Sequence, residues 1–311
     1  MAATNGYTQA AGPKPSRAFR RGAVGRKGAD IPMIAMVVFL SAWALIILFP
    51  FYNAVLISFA PQRVYIRTPL LVYPIEPTLD AYRFVFKWPS LATGLRNTSF
   101  ILVVGTTYNV LLTALTAYAL TKPIPGRKFF RLMILFTMFF GGGLFPYYLF
   151  INSTIHLGNT IWAMILPTGI SIMDLLIMQS YYETLPEEIA ESARIDGAGE
   201  LKTLFRIVLP MCKPMLATIT LYCAVARWNE WWYGMLFERS TDNYPMMLFL
   251  RNMLAETRAV TANIPISQRE LVFSKGIQMA AIIVTMAPIV CVYPFLQKYF
   301  VKGITLGGVK G

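Results

Sequence analysis

Residues 187–214 read EEIAESARIDGAGELKTLFRIVLPMCKP, a charged segment set among runs that are almost wholly apolar. Thr184, three residues before Glu187, predicts a capping box. Pro186, Glu187 and Glu188 suit a first helical turn, where carboxylates meet the positive end of the dipole. Gly197 is the expected stop, because glycine takes the left-handed conformation that closes a helix. Small Ala190, Ser192, Ala193 and Ala198 would leave a surface that another protein can approach closely. Past the stop, Leu201, Leu204, Phe205 and Val208 fall at i, i+3, i+4 and i+7, the mark of a second short helix with one apolar face before Pro210 and Pro214. The segment therefore reads as two short helices meeting at a glycine elbow.

The surroundings of this elbow follow from composition. The 311 residues are 56% hydrophobic and 14% charged, too apolar for a soluble domain of this size, so the expected fold is an all-α integral membrane protein. A net charge of +13 fits topology signals and lipid headgroup contacts, and nucleic acid is set aside as a partner. Cys212, Cys223 and Cys291 are scattered and odd in number, which indicates neither a disulfide framework nor a metal site. His156, the only histidine, reads as a loop residue, and no GxxxxGK[ST] phosphate loop occurs anywhere in the chain.

Residues 1–28 hold Lys14, Arg17, Arg20, Arg21, Arg26 and Lys27 among Gly, Pro, Ser and Ala, and read as a disordered basic tail. The apolar membrane body is expected over 29–303, with a C-terminal tail over 304–311. Its spanning runs are Ile31–Phe51, an uncleaved first span, then Ser99–Leu120, Phe129–Phe150, Ile161–Tyr182, Leu216–Phe237 and Gly276–Phe295, each near the ~20 residues that cross a ~30 Å core. Lys122, Arg127, Lys128 and Arg131 join the second span to the third, whereas 151–160 carries no Lys or Arg, so the tail is placed inside. With six spans both termini and the loop 183–214 face the cytoplasm, and 58–97 and 238–275 are the long outer loops.

Three charged residues, Asp174, Arg227 and Glu230, lie well inside spans, and each costs about 2.5 to 3.5 kcal/mol at a helix centre, so each should face a cavity or a partner. Arg227 and Glu230, three apart on the fifth span, are expected to pair on one face beside Trp228, Asn229, Trp231 and Trp232. Asp174 should sit at a shallower depth than Arg227, so no direct bridge between them is expected. These groups read either as a polar, aromatic lining for a solute pathway or as a structural ion pair with an interfacial tryptophan belt. Gly141, Gly142, Gly143 and Pro146 should break the third span, with Tyr147 and Tyr148 contacting substrate or anchoring at the headgroups. Asn109 is expected to make a helix-to-helix hydrogen bond. Tyr244–Leu254 reads as an amphipathic helix, lying at the interface or packed on the bundle.

Glu191, Ser192, Ala193, three residues, Gly197, nine residues, then Ile207, Val208, Leu209 and Pro210 resemble the EAA loop of ABC importer permeases, departing only in Ser192. Together with Gly141–Pro146, Trp228–Trp232 and the ending QKYFVKGITLGGVKG, this makes the chain similar to the carbohydrate-importer branch, MalG-like permeases and their LplC and YtcP relatives. The resemblance implies a six-helix type I importer fold in a bacterial inner membrane. It implies that Glu188, Glu191, Ser192, Ala193, Asp196, Gly197, Ala198, Ile207, Leu209 and Pro210 couple to a cytoplasmic ATPase dimer, which binds ATP and Mg while this chain binds no cofactor and catalyses nothing. It implies a second permease in a heterodimer, an external solute-binding protein and a carbohydrate substrate. By resemblance Thr305–Gly311 would reach between the ATPase subunits. Arg194 and Glu200 read as solvated or rim residues, and Arg227, Trp228, Asn229, Glu230, Asp174, Gly142 and Tyr147 as pathway candidates. The rival readings are an importer for another solute, such as a glycerol phosphate ester, or an ion-coupled secondary transporter that uses Asp174 and Glu230 to carry protons.

Overall fold

A computed structural model describes residues 31–263 and 274–307; the basic tail expected over 1–28, residues 264–273 of the second outer loop and 308–311 lie outside them. The described chain is helical, without a strand among these residues. It divides into a first unit up to Phe51 and a second from Tyr52 onward. The first unit is the greater part of α1 (Ile31–Phe59), whose large apolar side chains from Met33 to Phe51 are exposed, as suits a helix whose solvent is lipid.

The second unit takes up the chain from the end of α1. Short helices α2 (Gln62–Arg67) and α3 (Asp80–Phe86) lead into α4 (Pro89–Phe100), which continues through a wide π turn, Ile101–Gly105, into α5 (Thr106–Thr121). Then follow α6 (Arg127–Phe139), α7 (Leu144–Leu149) with a second π turn, Phe150–Thr154, α8 (Trp162–Ile165) and α9 (Ile172–Tyr182). The elbow comprises α10 (Glu187–Ile195), α11 (Glu200–Thr203), a third π turn, Leu204–Val208, and α12 (Leu209–Met211). Helices α13 (Lys213–Trp228), α14 (Trp232–Phe237), α15 (Met246–Asn263) and α16 (Ser274–Gly307) complete the unit. The backbone of α16 thus carries helix into the stretch expected to be a tail from 304.

Of the six runs expected to cross the membrane, Pro32–Phe59 and Pro89–Thr121 are long and apolar enough as single helices. Two more qualify only as bent pairs, Arg127–Phe139 with Leu144–Thr154 at 114° and Glu200–Met211 with Lys213–Trp228 at 87°. The expected third span is thus broken at 140–143, where Gly143 has φ +86°. The expected fourth, Ile161–Tyr182, is interrupted between α8 and α9 at 166–171, where Pro167 removes a backbone donor. The expected fifth, Leu216–Phe237, is interrupted at 229–231. Six apolar runs are therefore not six straight rods, and where the backbone leaves the helix its polar groups need partners inside the protein.

The two largest of several apolar clusters hold the second unit. One joins α5, α9, the third π turn and α13 through Ala117, Leu175, Met178, Leu204, Cys212 and Ile219. The other joins α3, α4, α15 and α16 through Val85, Met246, Phe249, Met253 and Ala280. Tyr244–Leu254 thereby resolves in favour of packing on the bundle: Met246, Leu248, Phe249 and Met253 are buried.

Candidate functional site

The elbow is built mostly as its residues dictate. Helix α10 starts at Glu187, but the capping box does not form: Pro186 is the cap residue and offers no side-chain acceptor, while the Thr184 hydroxyl donates to the Tyr181 carbonyl at 2.7 Å. Its end follows expectation. Gly197, with φ +74°, donates its N–H to the Arg194 carbonyl at 3.0 Å, and Ala198 donates to Ala193 at 2.9 Å, the two bonds of a Schellman cap. A Cβ on Gly197 would meet nothing within 4 Å, so the backbone angle and not crowding demands glycine here.

Exposure sorts the motif into two faces. Glu188, Glu191, Ser192, Asp196 and Gly197 are exposed, Ala198, Ile207 and Leu209 are half-buried, and Pro210 is exposed. Ala193 is buried against its own chain, so it does not belong to the outward surface expected of the small residues. The outward face instead contains Ile195, 86% exposed, which the sequence reading missed. Its signal was available, since Glu188, Glu191 and Ile195 stand at i, i+3 and i+7 on one side of a helix. Past the elbow the expected single apolar face is split. Leu204 and Val208 are buried while Leu201 and Phe205 are exposed, because α11 lasts four residues and the π turn after it changes the angular spacing.

Glu200 is exposed, as expected, but both its carboxylate oxygens are engaged. Its Oε1 accepts from Arg194 Nη2 at 2.9 Å and from Nε at 3.2 Å, and its Oε2 accepts from the Tyr118 hydroxyl at 2.7 Å and faces Lys122 Nζ at 3.2 Å. The Tyr118 hydroxyl, with Arg194 and Lys122 behind it and burial opposing, holds the carboxyl at about 2 against an ordinary 4.5. Because the folded value is the lower one, these bonds are fully present above about 4.5 and are lost only as pH falls through about 2.

Inside the apolar runs, Arg227 does not pair with Glu230. It is buried, and its guanidinium donates to Asn109 Oδ1 at 2.6 Å, to the carbonyls of Thr168 at 3.1 Å and Ile165 at 3.3 Å, and to the Met164 carbonyl. Those carbonyls are the ones released where α8 ends, so Arg227 caps a broken span, and a planar fork of five donors suits the task. A Cβ on Gly105 would lie 3.0 Å from Arg227 Nε, so glycine there leaves room for the guanidinium. Asn109 also donates to Thr168 O in the break at 3.0 Å, and the helix-to-helix bond expected of it is the one to Arg227 on α13. Glu230 sits in the break after α13, where its Oε1 accepts from the Tyr233 backbone N–H at 2.8 Å at the start of α14. Asp174 is buried in the first turn of α9 near Cys223 Sγ, 3.8 Å away, and no ion pair among the described residues joins it to Arg227. Of the remaining pathway candidates, Trp228 is buried, Asn229 is exposed and donates to Val225 O at 2.8 Å, Gly142 stands open, and Tyr147 packs on Phe237 and Tyr233.

An elbow with a left-handed glycine at this place in an all-helical membrane chain is the setting in which the motif has a family. Residues 31–306 match the profile of the binding-protein-dependent transport system inner membrane component. The chain belongs to that family. Among relatives of this permease, Protein LplC of Bacillus subtilis (strain 168) is 35% identical over 279 residues, covering 89% of this chain and 94% of LplC. The polygalacturonan/rhamnogalacturonan transport system permease protein YtcP of the same organism is 34% identical over 275 residues, covering 88% and 96%. A solved bacterial ABC transporter involved in import of the acidic polysaccharide alginate superposes with TM-score 0.78 at 28% identity, covering 86% of the permease and 95% of that chain. The permease is thus an all-α membrane component of an importer, and the family to which it belongs is one of membrane permeases rather than catalysts.

Proposed function

We propose that this chain forms half of the translocation pathway of an ATP-driven sugar importer, with an oligosaccharide as its solute. Relatives named for arabinooligosaccharide, polygalacturonan/rhamnogalacturonan and trehalose/maltose transport support the sugar class, and none of those named favours a glycerol phosphate ester. A second permease completes the pathway, a binding protein delivers solute outside, and two cytoplasmic ATPase subunits hold ATP and Mg. The observation that carries the reading is α10, a helix closed by Gly197 at φ +74° that turns Glu188, Glu191, Ile195 and Asp196 away from its own bundle. An exposed isoleucine ringed by carboxylates suits a partner groove with an apolar floor and a basic rim. The basic residues at 122–131, against none at 151–160, support a cytoplasmic side for the termini and α10. Gly142 and Asn229 are the pathway candidates left exposed, with exposed Trp231 and Trp232 following Asn229, while Arg227 and Trp228 serve packing. Uptake into vesicles carrying the whole transporter should stop when ATP is withdrawn and persist with an uncoupler. Uptake by the purified permease alone, without any ATPase, would overturn the reading.

A further inference from the structure

The link between α10 and the rest of its own chain is narrow. Ala193 is buried, but much of the inner side of α10 faces a cavity of about 410 Å³ lined by Ile189, Ala190, Tyr118, Tyr182, Val208 and Met211. Packing across a void transmits little, because atoms on its two sides are out of contact. Beside this cavity stands Glu200, one oxygen bound to Arg194 on α10 and the other to Tyr118 and Lys122 at the end of α5. Tyr118 is itself buried, stacked edge-on against Tyr182 at 5.9 Å, and Lys122 lies over its ring at 4.3 Å, so the far end of the link is set in the core of α5 and α9.

The geometry points to Glu200 as the residue through which a displacement of α10 reaches the membrane helices. It is a positioning residue, and the assignment rests on the importer reading above. Two arms in series meet at one carboxylate. The Arg194 arm braces the elbow, and the Tyr118–Lys122 arm fastens it to α5; cutting either should free α5 from α10. Glu200 is half-exposed, so the link should have the strength of a surface ion-pair network, not of a buried one.

The test is hydrogen exchange on the complete transporter, nucleotide-free and trapped with ATP and vanadate. In the natural protein, trapping should change exchange both in α10 (187–195) and in the inner part of α5 (114–121). In Glu200→Ala, Arg194→Gln and the double variant Tyr118→Phe/Lys122→Gln, the change in α10 should persist while that in α5 shrinks about fivefold. Combining Arg194→Gln with the double variant should add nothing further, as expected of links in series. A full-sized α5 response in both the Arg194 and the Tyr118/Lys122 variants would overturn the assignment, whether or not Glu200→Ala assembles. If α10 itself does not respond in the natural transporter, the importer reading fails instead.

Discussion

Arg227 shows how a single residue holds a membrane protein together. Apolar burial contributes little between helices in lipid, since the acyl chains are as apolar as the side chains they replace. Specific closure then rests on polar groups, and Arg227 satisfies carbonyls of Met164, Ile165 and Thr168 that no backbone donor reaches. Arg227→Met should destabilise the purified permease by about 1 to 3 kcal/mol, read as a lowered thermal midpoint in detergent, because Asn109 Oδ1 loses its donor and the carbonyls keep only the weaker bonds from the Thr168 hydroxyl and the Asn109 amide. Arg227→Lys should fall between, keeping the charge but losing the planar fork. That Arg227 would be costly and partnered was legible from its place in an apolar run. Its partners were not, because they are backbone carbonyls of a helix end that leaves no side-chain pattern in the sequence.

At the scale of elements, the informative places are where helices stop. The break at 140–143 was legible in its three glycines and Pro146, and the structure separates their roles. Gly143 adopts φ +86° and ψ 161°, a region nearly closed to other residues, while a Cβ on Gly142 meets nothing within 4 Å. Gly143→Ala should therefore cost about 1 to 3 kcal/mol, and Gly142→Ala should be neutral or slightly stabilising; thermal unfolding of the two variants side by side checks the contrast. The breaks at 166–171 and 229–231 were not read from sequence, because hydropathy reports how apolar a run is and is blind to whether its backbone stays helical.

For the whole molecule, the motif from Glu191 to Pro210 and the apolar content were enough to assign the class of fold, while the way the elbow is fastened was not. The bonds of half-exposed Glu200 were not legible because its three partners lie six residues away at Arg194 and about eighty away at Tyr118 and Lys122, and no local pattern connects them. Gly197→Val forces a β-branched residue to φ +74°, a strain of about 1 to 2 kcal/mol that tilts α10 against whatever it meets. The variant should insert normally and still co-purify with its partners, yet take up solute about tenfold more slowly per ATP hydrolysed, since about 1.4 kcal/mol is one decade. Unchanged uptake per ATP would count against the role given to α10.

The three π turns bear on how this chain is compared with its kin. A π turn is an α-helix that has taken in one residue too many, so Ile101–Gly105, Phe150–Thr154 and Leu204–Val208 are the points where a relative one residue shorter would show its gap. Such a gap stays local: the wide turn takes the extra residue into a single turn, whereas the same omission from a regular α-helix would rotate all that follows by about 100°. At Leu204–Val208 a relative one residue shorter would close an ordinary helical turn between the elbow and α13, and would still present its elbow at nearly the same azimuth to the same partner.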